Sequence, residues 1–150
     1  MKILAIDPGE TNGVAVCIDN CYMTTILTEP TDFFKFFQEG LDAVVIEQFA
    51  ASVISKYGLH TVRIVGGIEI LCKYLDVPLK HQTPQSRLAF VDFAIRLVRK
   101  QGTYTSIGDR HHHQVDALAH LLRYQNDIGS IRIKGDDLIT TQDRSVIVSL

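Results

Sequence analysis

Three short apolar segments separated by tight turns open the chain, and they restrict it to folds that contain a β-sheet. Lys2–Ile6 is apolar and ends at the turn sequence DPG (residues 7–9). Val14–Ile18 and Tyr22–Leu27 follow, with a second turn at residues 19–20 between them. Segments of this length joined by tight turns are typical of antiparallel strands. We therefore predict an antiparallel meander over residues 2–27, in which Gly9 and Gly13 serve turns.

Strands and helices alternate through the rest of the chain. The predicted elements are a short helix over Phe33–Gln38 capped at Thr31-Asp32, a strand over Ala43–Ile46, a helix over about 55–75, a strand over Val77–His81, a helix from Thr83-Pro84 to about Arg99, and a helix from about Arg110 to Tyr124. This order predicts an α/β fold with a mixed five-stranded sheet, three antiparallel strands followed by parallel ones, and helices on both faces. Residues 1–125 would form this domain. Residues 126–150 would form a peripheral extension or an oligomer contact, with 131–133 and 146–148 as candidate strands, and disorder is the alternative for this segment.

Composition is typical of a single globular domain. The chain has 150 residues, of which 46% are hydrophobic, enough for a core without disulfides or a structural metal. Cys17, Cys21 and Cys72 show no CxxC spacing, which speaks against a secreted disulfide scaffold or a zinc site. There is no run long enough for a membrane span and no signal-peptide pattern. We expect a cytoplasmic protein that does not bind membranes.

Charge is unevenly distributed along the chain. Residues 1–55 carry 2 basic and 8 acidic residues, a net charge of −6. Residues 56–100 carry 8 basic and 3 acidic residues, a net charge of +5. A basic middle segment beside an acidic first third fits a protein that pairs a phosphate-binding surface with a carboxylate cluster, although ordinary surface variation gives the same pattern.

Two acidic residues follow apolar strands. Asp7 ends the first predicted strand and Glu47 ends the fourth. If these strands are central neighbours, both carboxylates emerge at one end of the sheet. A carboxylate beside a buried strand costs free energy unless it is paired or bound to a cation. Taken singly, each is equally consistent with a turn residue.

A third acidic residue lies near the start of the last predicted helix. Asp116 follows His113 by three residues and precedes His120 by four, so the three side chains share one helical face. The alternative is a solvated face that carries histidines. Three converging carboxylates would form an oxygen-rich site suited to two Mg²⁺ or Mn²⁺ ions, which can hydrolyse a phosphodiester.

Four segments of the sequence together resemble a known family. They are IDPGETNGVAV at 6–16, VVIEQF at 44–49, VPLKHQTPQSR at 77–87 and HxxDA at 113–117. In order and spacing they are similar to the RuvC-like branch of the RNase H-like superfamily, which includes Holliday-junction resolvases of bacteria and phages. The resemblance implies an RNase H-like fold, a four-way DNA junction as substrate, a homodimer, and the cytoplasm of a bacterium or of a phage-infected cell.

The same resemblance implies roles for individual residues. Asp7, Glu47 and Asp116 would be metal ligands, and His113 would bind metal or move a proton. Asp109 is an alternative fourth site residue, although a helix N-cap is the more ordinary role for it. Basic and polar residues of the middle segment are candidate DNA contacts, and a tyrosine there can stack on an unpaired base. These candidates are Lys56, Tyr57, Arg63, Lys80, Gln82 and Arg87.

Three other functions remain open at this point. The same fold and site would also suit an RNase H-type or RNA-processing nuclease. The sequence DPGETNG has some similarity to a phosphate-binding loop, which would indicate a nucleotide-binding module of the sugar-kinase or actin type. The chain lacks a second glycine-rich loop for that role. A non-catalytic nucleic-acid-binding scaffold is the fourth possibility, but it has no need of three carboxylates.

Overall fold

The computed structural model describes residues 1–9, 11–37, 40–48, 56–100, 112–134, 137–140 and 147–148. For residues 30, 56, 57, 147 and 148 it describes the backbone only. The elements are β1 Lys2–Asp7, β2 Asn12–Ile18, β3 Cys21–Leu27, β4 Ala43–Glu47, α1 Lys56–Tyr74, β5 Leu79–Gln82, α2 Val91–Lys100, α3 His112–Asp127, β6 Ile131–Lys134, β7 Asp137–Thr140 and β8 Ile147–Val148, with 3-10 segments at Pro30–Lys35 and Pro84–Phe90.

The main sheet has five strands in the order β3-β2-β1-β4-β5. β1, β2 and β3 are antiparallel neighbours, whereas β4 runs parallel to β1, and β5 parallel to β4. Asp7 lies opposite Gly13 across β1 and β2, and Glu47 lies opposite Gln82 across β4 and β5. The predicted mixed five-stranded sheet is confirmed.

Helices cover both faces of this sheet, as predicted. Ile3, Ala5 and Val45 belong to the apolar cluster that includes α2 and α3, whereas Leu4 and Ile6 belong to the cluster that includes α1. Alternate residues of a strand point to opposite faces, so each central strand is apolar on both sides. The last residues of β1 and β4 lie on the same face as Ile3, Ala5 and Val45. Their side chains therefore point towards α3.

Two predicted helices differ locally from the structure. The short helix is a 3-10 segment over Pro30–Lys35 rather than a helix over 33–38, and Glu29 takes the N-cap position without a side-chain bond. The helix predicted from Pro84 begins as a 3-10 segment and becomes α-helical only at Val91. Thr83 does not cap it with its side chain; its carbonyl accepts hydrogen bonds from Ser86 instead. In both segments, proline favours the first turn but does not select between 3-10 and α geometry.

The last part of the chain forms a second, small sheet in the order β6-β7-β8. Strands at 131–134 and 147–148 match the candidate strands, and β7 was not predicted. Ile131 and Leu138 are buried in the same apolar cluster as α3. The division of the chain at residue 125 stays a prediction, but these two side chains are core residues rather than peripheral ones. Within the described part of the chain, no helix is long and apolar enough to cross a membrane.

Candidate functional site

The ends of β1 and β4 place two carboxylates side by side beneath α3. Asp7 and Glu47 are the last residues of these two neighbouring parallel strands. The Asp7 side chain is only 6% exposed, and that of Glu47 is 20% exposed. Neighbouring parallel strands end at the same edge of a sheet, so the fold itself brings these two groups together.

A close approach between β2 and the first turn of α3 completes the site. A Cβ atom on Gly13 would lie 1.8 Å from the backbone oxygen of His113, and one on Gly9 would lie 2.9 Å from the His113 ring. The role predicted for Gly13, a turn, is therefore wrong. It lies within β2, where the absence of a side chain lets the helix rest on the strand. In this position, Nδ1 of His113 is 2.6 Å from Oδ2 of Asp7.

Arg87 joins the other two carboxylates. Its Nη2 atom donates to Oδ2 of Asp116 at 2.8 Å, and Nη1 lies 3.5 Å from Oε2 of Glu47. Nη1 also donates to the carbonyl oxygen of Pro84, within the same 3-10 segment. The hydrogen bond with Asp116 and the negative charge of Glu47 raise the pKa of Arg87, so its guanidinium stays charged.

His120 contacts the same oxygen of Glu47 as Arg87 does. Its Nε2 atom is 2.9 Å from Oε2 of Glu47, and its Nδ1 atom is 2.8 Å from Oε1 of Gln82. The imidazole is fully buried. Every carboxylate of the predicted trio thus has a nitrogen-bearing partner: His113 for Asp7, Arg87 and His120 for Glu47, and Arg87 for Asp116.

Burial and nearby charges change the pKa values of Asp7 and His113. Removal from water raises the pKa of Asp7, and the charges of Glu47 and Asp116 raise it further, while the hydrogen bond from His113 acts in the opposite direction. The pKa of His113 is raised, mainly by its hydrogen bond to Asp7. Glu47 and Asp116 therefore both lie close enough to Asp7 for their charges to act on its carboxylate.

The donor set suits hard divalent cations, although the side chains are not arranged around one. Carboxylate oxygens are the ligands that Mg²⁺ and Mn²⁺ prefer, and mutual repulsion among Asp7, Glu47 and Asp116 is what a bound cation would relieve. Among the residues that the structure describes, no three His, Cys, Asp or Glu side chains form a ready-made metal site. Arg87 supplies positive charge at this place instead, and His113 does so when it is protonated.

The candidate DNA contacts do not all lie at one place. Lys80 is exposed on β5, and Arg63 lines a cavity of about 310 Å³ between α1 and the 3-10 segment Pro30–Lys35. Gln82 is buried against His120, and Arg87 belongs to the acidic cluster. The remaining candidates fall outside what the structure describes: the side chains of Lys56 and Tyr57, and Asp109 as the alternative fourth site residue.

The sequence analysis did not predict two side-chain contacts of this site. It treated Gln82 and Arg87 as surface DNA contacts, whereas both reach into the cluster. A signal was present for His120, which lies one helical turn after Asp116 on the same face. No local signal indicated that Gln82 would lie opposite Glu47, because that depends on the register of β5 against β4.

Comparison with solved structures identifies the fold. RuvC of T. thermophilus in complex with a Holliday junction substrate is similar with a TM-score of 0.60 and 17% identity, covering 86% of this chain and 96% of that chain. A second Thermus thermophilus RuvC structure gives a TM-score of 0.57 and 16% identity, covering 86% and 97%. The sequence matches no protein-family model and no curated protein sequence. This chain therefore has a RuvC-like fold of the RNase H-like type.

Proposed function

We propose that this chain is a divalent-metal-dependent nuclease that cuts branched DNA, with the four-way junction as its substrate. The observation that carries this proposal is the meeting of Asp7, Glu47 and Asp116, from β1, β4 and α3, at one end of the sheet. The fold is the one that RuvC shows in its complex with a Holliday junction. Fold alone does not assign activity, and the carboxylate cluster supplies the chemical argument.

Asp7, Glu47 and Asp116 would hold the metal, two Mg²⁺ or Mn²⁺ ions, with His113 beside them as a further ligand or a proton carrier. Such ions activate water for attack on a phosphodiester and stabilise the leaving oxygen. Arg87 contacts one oxygen of Glu47 and one of Asp116, and a cation bound by these carboxylates would replace those contacts. Its guanidinium would then be available to a DNA phosphate, which is the role expected for it from the sequence.

His113 would keep a role of its own in this reaction. Its Nδ1 contact orients the Asp7 carboxylate, and the ring is one-third exposed, so it can exchange protons with water. The raised pKa of His113 keeps a larger share of the ring protonated near neutral pH. A protonated ring in this position can donate a proton to a leaving oxygen or a hydrogen bond to a phosphate.

The expected assembly follows from the symmetry of the substrate. A four-way junction has two-fold symmetry, and paired cuts at symmetric positions require two active sites in a fixed relation. We therefore propose a homodimer as the active form.

The proposal is tested by cleavage of a labelled four-way junction, a linear duplex of the same sequence and an RNA–DNA hybrid, each with Mg²⁺ or Mn²⁺. Wild type should cut the junction symmetrically, and Asp7→Asn should reduce cleavage to background. Asp127→Asn is the matched control, since Asp127 is an exposed acid of α3 that pairs with Arg123 away from the site. Its activity should equal that of wild type.

Two other results would change the conclusion. Metal-dependent cleavage of the hybrid alone would keep the site and make the protein an RNase H-type nuclease, which the same fold and carboxylates would serve. Absence of metal-dependent cleavage on every substrate would refute the nuclease proposal.

A further inference from the structure

A buried histidine lies beside the carboxylate cluster, and the proposed reaction makes no use of it. His120 is 0% exposed and lies on α3, one turn beyond Asp116. Burying an imidazole costs free energy unless its polar atoms are hydrogen-bonded. α3 also contributes Ala117, Leu118 and Leu121 to the apolar core on this side of the sheet.

Both nitrogens of this ring have partners, and the partners come from two different strands. Nε2 lies 2.9 Å from Oε2 of Glu47 at the end of β4, and Nδ1 lies 2.8 Å from Oε1 of Gln82 at the end of β5. Gln82 is itself 6% exposed and faces Glu47 in the parallel pairing of the two strands. A helix and two strands therefore converge on a single chain of contacts.

An ionised Glu47 carboxylate can only accept a hydrogen bond, so Nε2–H of His120 is the donor in the contact with Oε2. With Oε1 of Gln82 against Nδ1, the second contact needs a hydrogen on Nδ1. This orientation leaves Nε2 of Gln82 buried without a partner. If the amide is turned over, that nitrogen donates to Nδ1, and a neutral ring again donates from Nε2 to Glu47. In either arrangement, a hydrogen on Nε2 points at the Glu47 carboxylate.

We propose that His120, oriented by Gln82, is a positioning residue that holds the Glu47 carboxylate ready for a divalent cation. The inference rests on the proposed function in one respect, that Glu47 is a metal ligand. A glutamate has several rotatable bonds, and a hydrogen bond from a rigidly packed ring removes much of that freedom before the cation arrives. Oε1 of Glu47 is not used by this contact, so the carboxylate can be held through one oxygen and bind through the other.

The first test measures Mn²⁺ binding by calorimetry on the DNA-free protein. His120→Leu should weaken Mn²⁺ affinity by about 10- to 100-fold, the usual effect of losing a group that orients a metal ligand. His120→Gln should restore part of the affinity, because its amide N–H can still donate to Glu47. Gln82→Met, on the edge strand β5, should give a smaller loss in the same direction.

Gln125→Leu is the matched control. Gln125 is also a fully buried polar residue of α3, but it contacts Tyr22 and Cys17, away from the cluster. This variant should lose stability as His120→Leu does and bind Mn²⁺ with unchanged affinity. Wild-type affinity in both His120→Leu and Gln82→Met would overturn the positioning role.

A second readout separates this inference from the proposed function. In the metal-free protein, ¹⁵N spectra of the His120 ring should show a proton on Nε2, and the signal should change in Glu47→Ala but not in Gln125→Leu. If wild type bound no Mn²⁺, the proposed function would fail while this spectrum still decided the His120 contact. A His120 signal that is indifferent to Glu47→Ala would show that the ring does not hold the carboxylate.

Discussion

At the scale of single residues, the site is governed by the cost of placing carboxylates out of water. Burial and the charges of Glu47 and Asp116 raise the pKa of Asp7, although His113 donates to it. The buried position therefore outweighs the ion pair. Positive partners around the cluster lower this cost without removing it. A bound cation would offset the part that remains.

One prediction concerns the pH dependence of the His113–Asp7 contact. The pKa of His113 is raised above its ordinary value of 6.5. The His113–Asp7 contact therefore stabilises the fold fully below pH 6.5, and this stabilisation is lost as pH rises through the raised pKa. His113→Asn should therefore lower the unfolding free energy by about 1 kcal/mol near pH ~6 and by less near pH ~9.

The measurement is urea denaturation at the two pH values with a chelator present, so that no metal contributes. His60→Asn, at an exposed histidine of α1, is the control and should show no such difference. A loss of stability in His113→Asn that grew as pH rose would contradict the expected direction.

A second prediction concerns the close approach at Gly13. Gly13→Ala places a Cβ atom 1.8 Å from the His113 backbone oxygen, which forces α3 away from β2. We expect a loss of about 3 kcal/mol in unfolding free energy, at the upper end of overpacking effects, because backbone rather than a flexible side chain must move. Urea denaturation measures it. Gly66→Ala, in the middle of α1 with nothing within 4 Å, should instead stabilise by up to about 1 kcal/mol.

At the scale of elements, Arg87 links three parts of the fold. The 3-10 segment Pro84–Phe90 carries it, β4 supplies Glu47, and α3 supplies Asp116. The Arg87 side chain is 18% exposed, so its contacts are less screened by water than those of a surface ion pair. One guanidinium therefore holds a strand end and a helix together at the place where a cation is expected.

A third prediction follows from that arrangement. Arg87→Met should lower the unfolding free energy by about 2 kcal/mol, since it leaves two partly buried carboxylates without their charged donor. If cations take over the role of Arg87, millimolar Mn²⁺ should recover most of the loss and should raise the melting temperature of the variant more than that of wild type. Thermal unfolding with and without Mn²⁺ tests both effects.

Arg123→Met provides the comparison for this experiment. Arg123 pairs with Asp127 on the exposed side of α3, and both side chains are about 40% exposed. Its replacement should cost less than about 0.5 kcal/mol and should show no dependence on Mn²⁺. An equal response of the two variants to Mn²⁺ would contradict the role proposed for Arg87.

At the scale of the whole molecule, the central sheet separates two apolar clusters, one against α1 and the other against α2 and α3. The second cluster extends past α3 and takes in Ile131 and Leu138 from the small sheet. The C-terminal strands thus contribute to the layer that supports α3. Since α3 carries His113, Asp116 and His120, the position of the site depends on packing from both ends of the chain.

A fourth prediction tests that dependence. Leu138→Ala removes a buried side chain of β7 and should lower the unfolding free energy by about 2–4 kcal/mol. Ile128→Ala, at a half-exposed position just after α3, should change it by less than about 0.5 kcal/mol. Urea denaturation of both variants measures these changes in unfolding free energy. A neutral result for Leu138→Ala would mean that the small sheet contributes nothing to the core.

The five-stranded sheet, its strand directions and the three candidate acids could be predicted from the chain alone. These follow from local patterns: apolar runs closed by turns, acids directly after strands, and an HxxDA sequence at the start of an amphipathic helix. The partners of the acids could not be predicted in this way. Arg87 meets Asp116 across 29 positions, His120 meets Gln82 across 38, and His120 meets Glu47 across 73. Such contacts depend on strand register and on the seating of α3 against Gly13, which no short segment of sequence encodes.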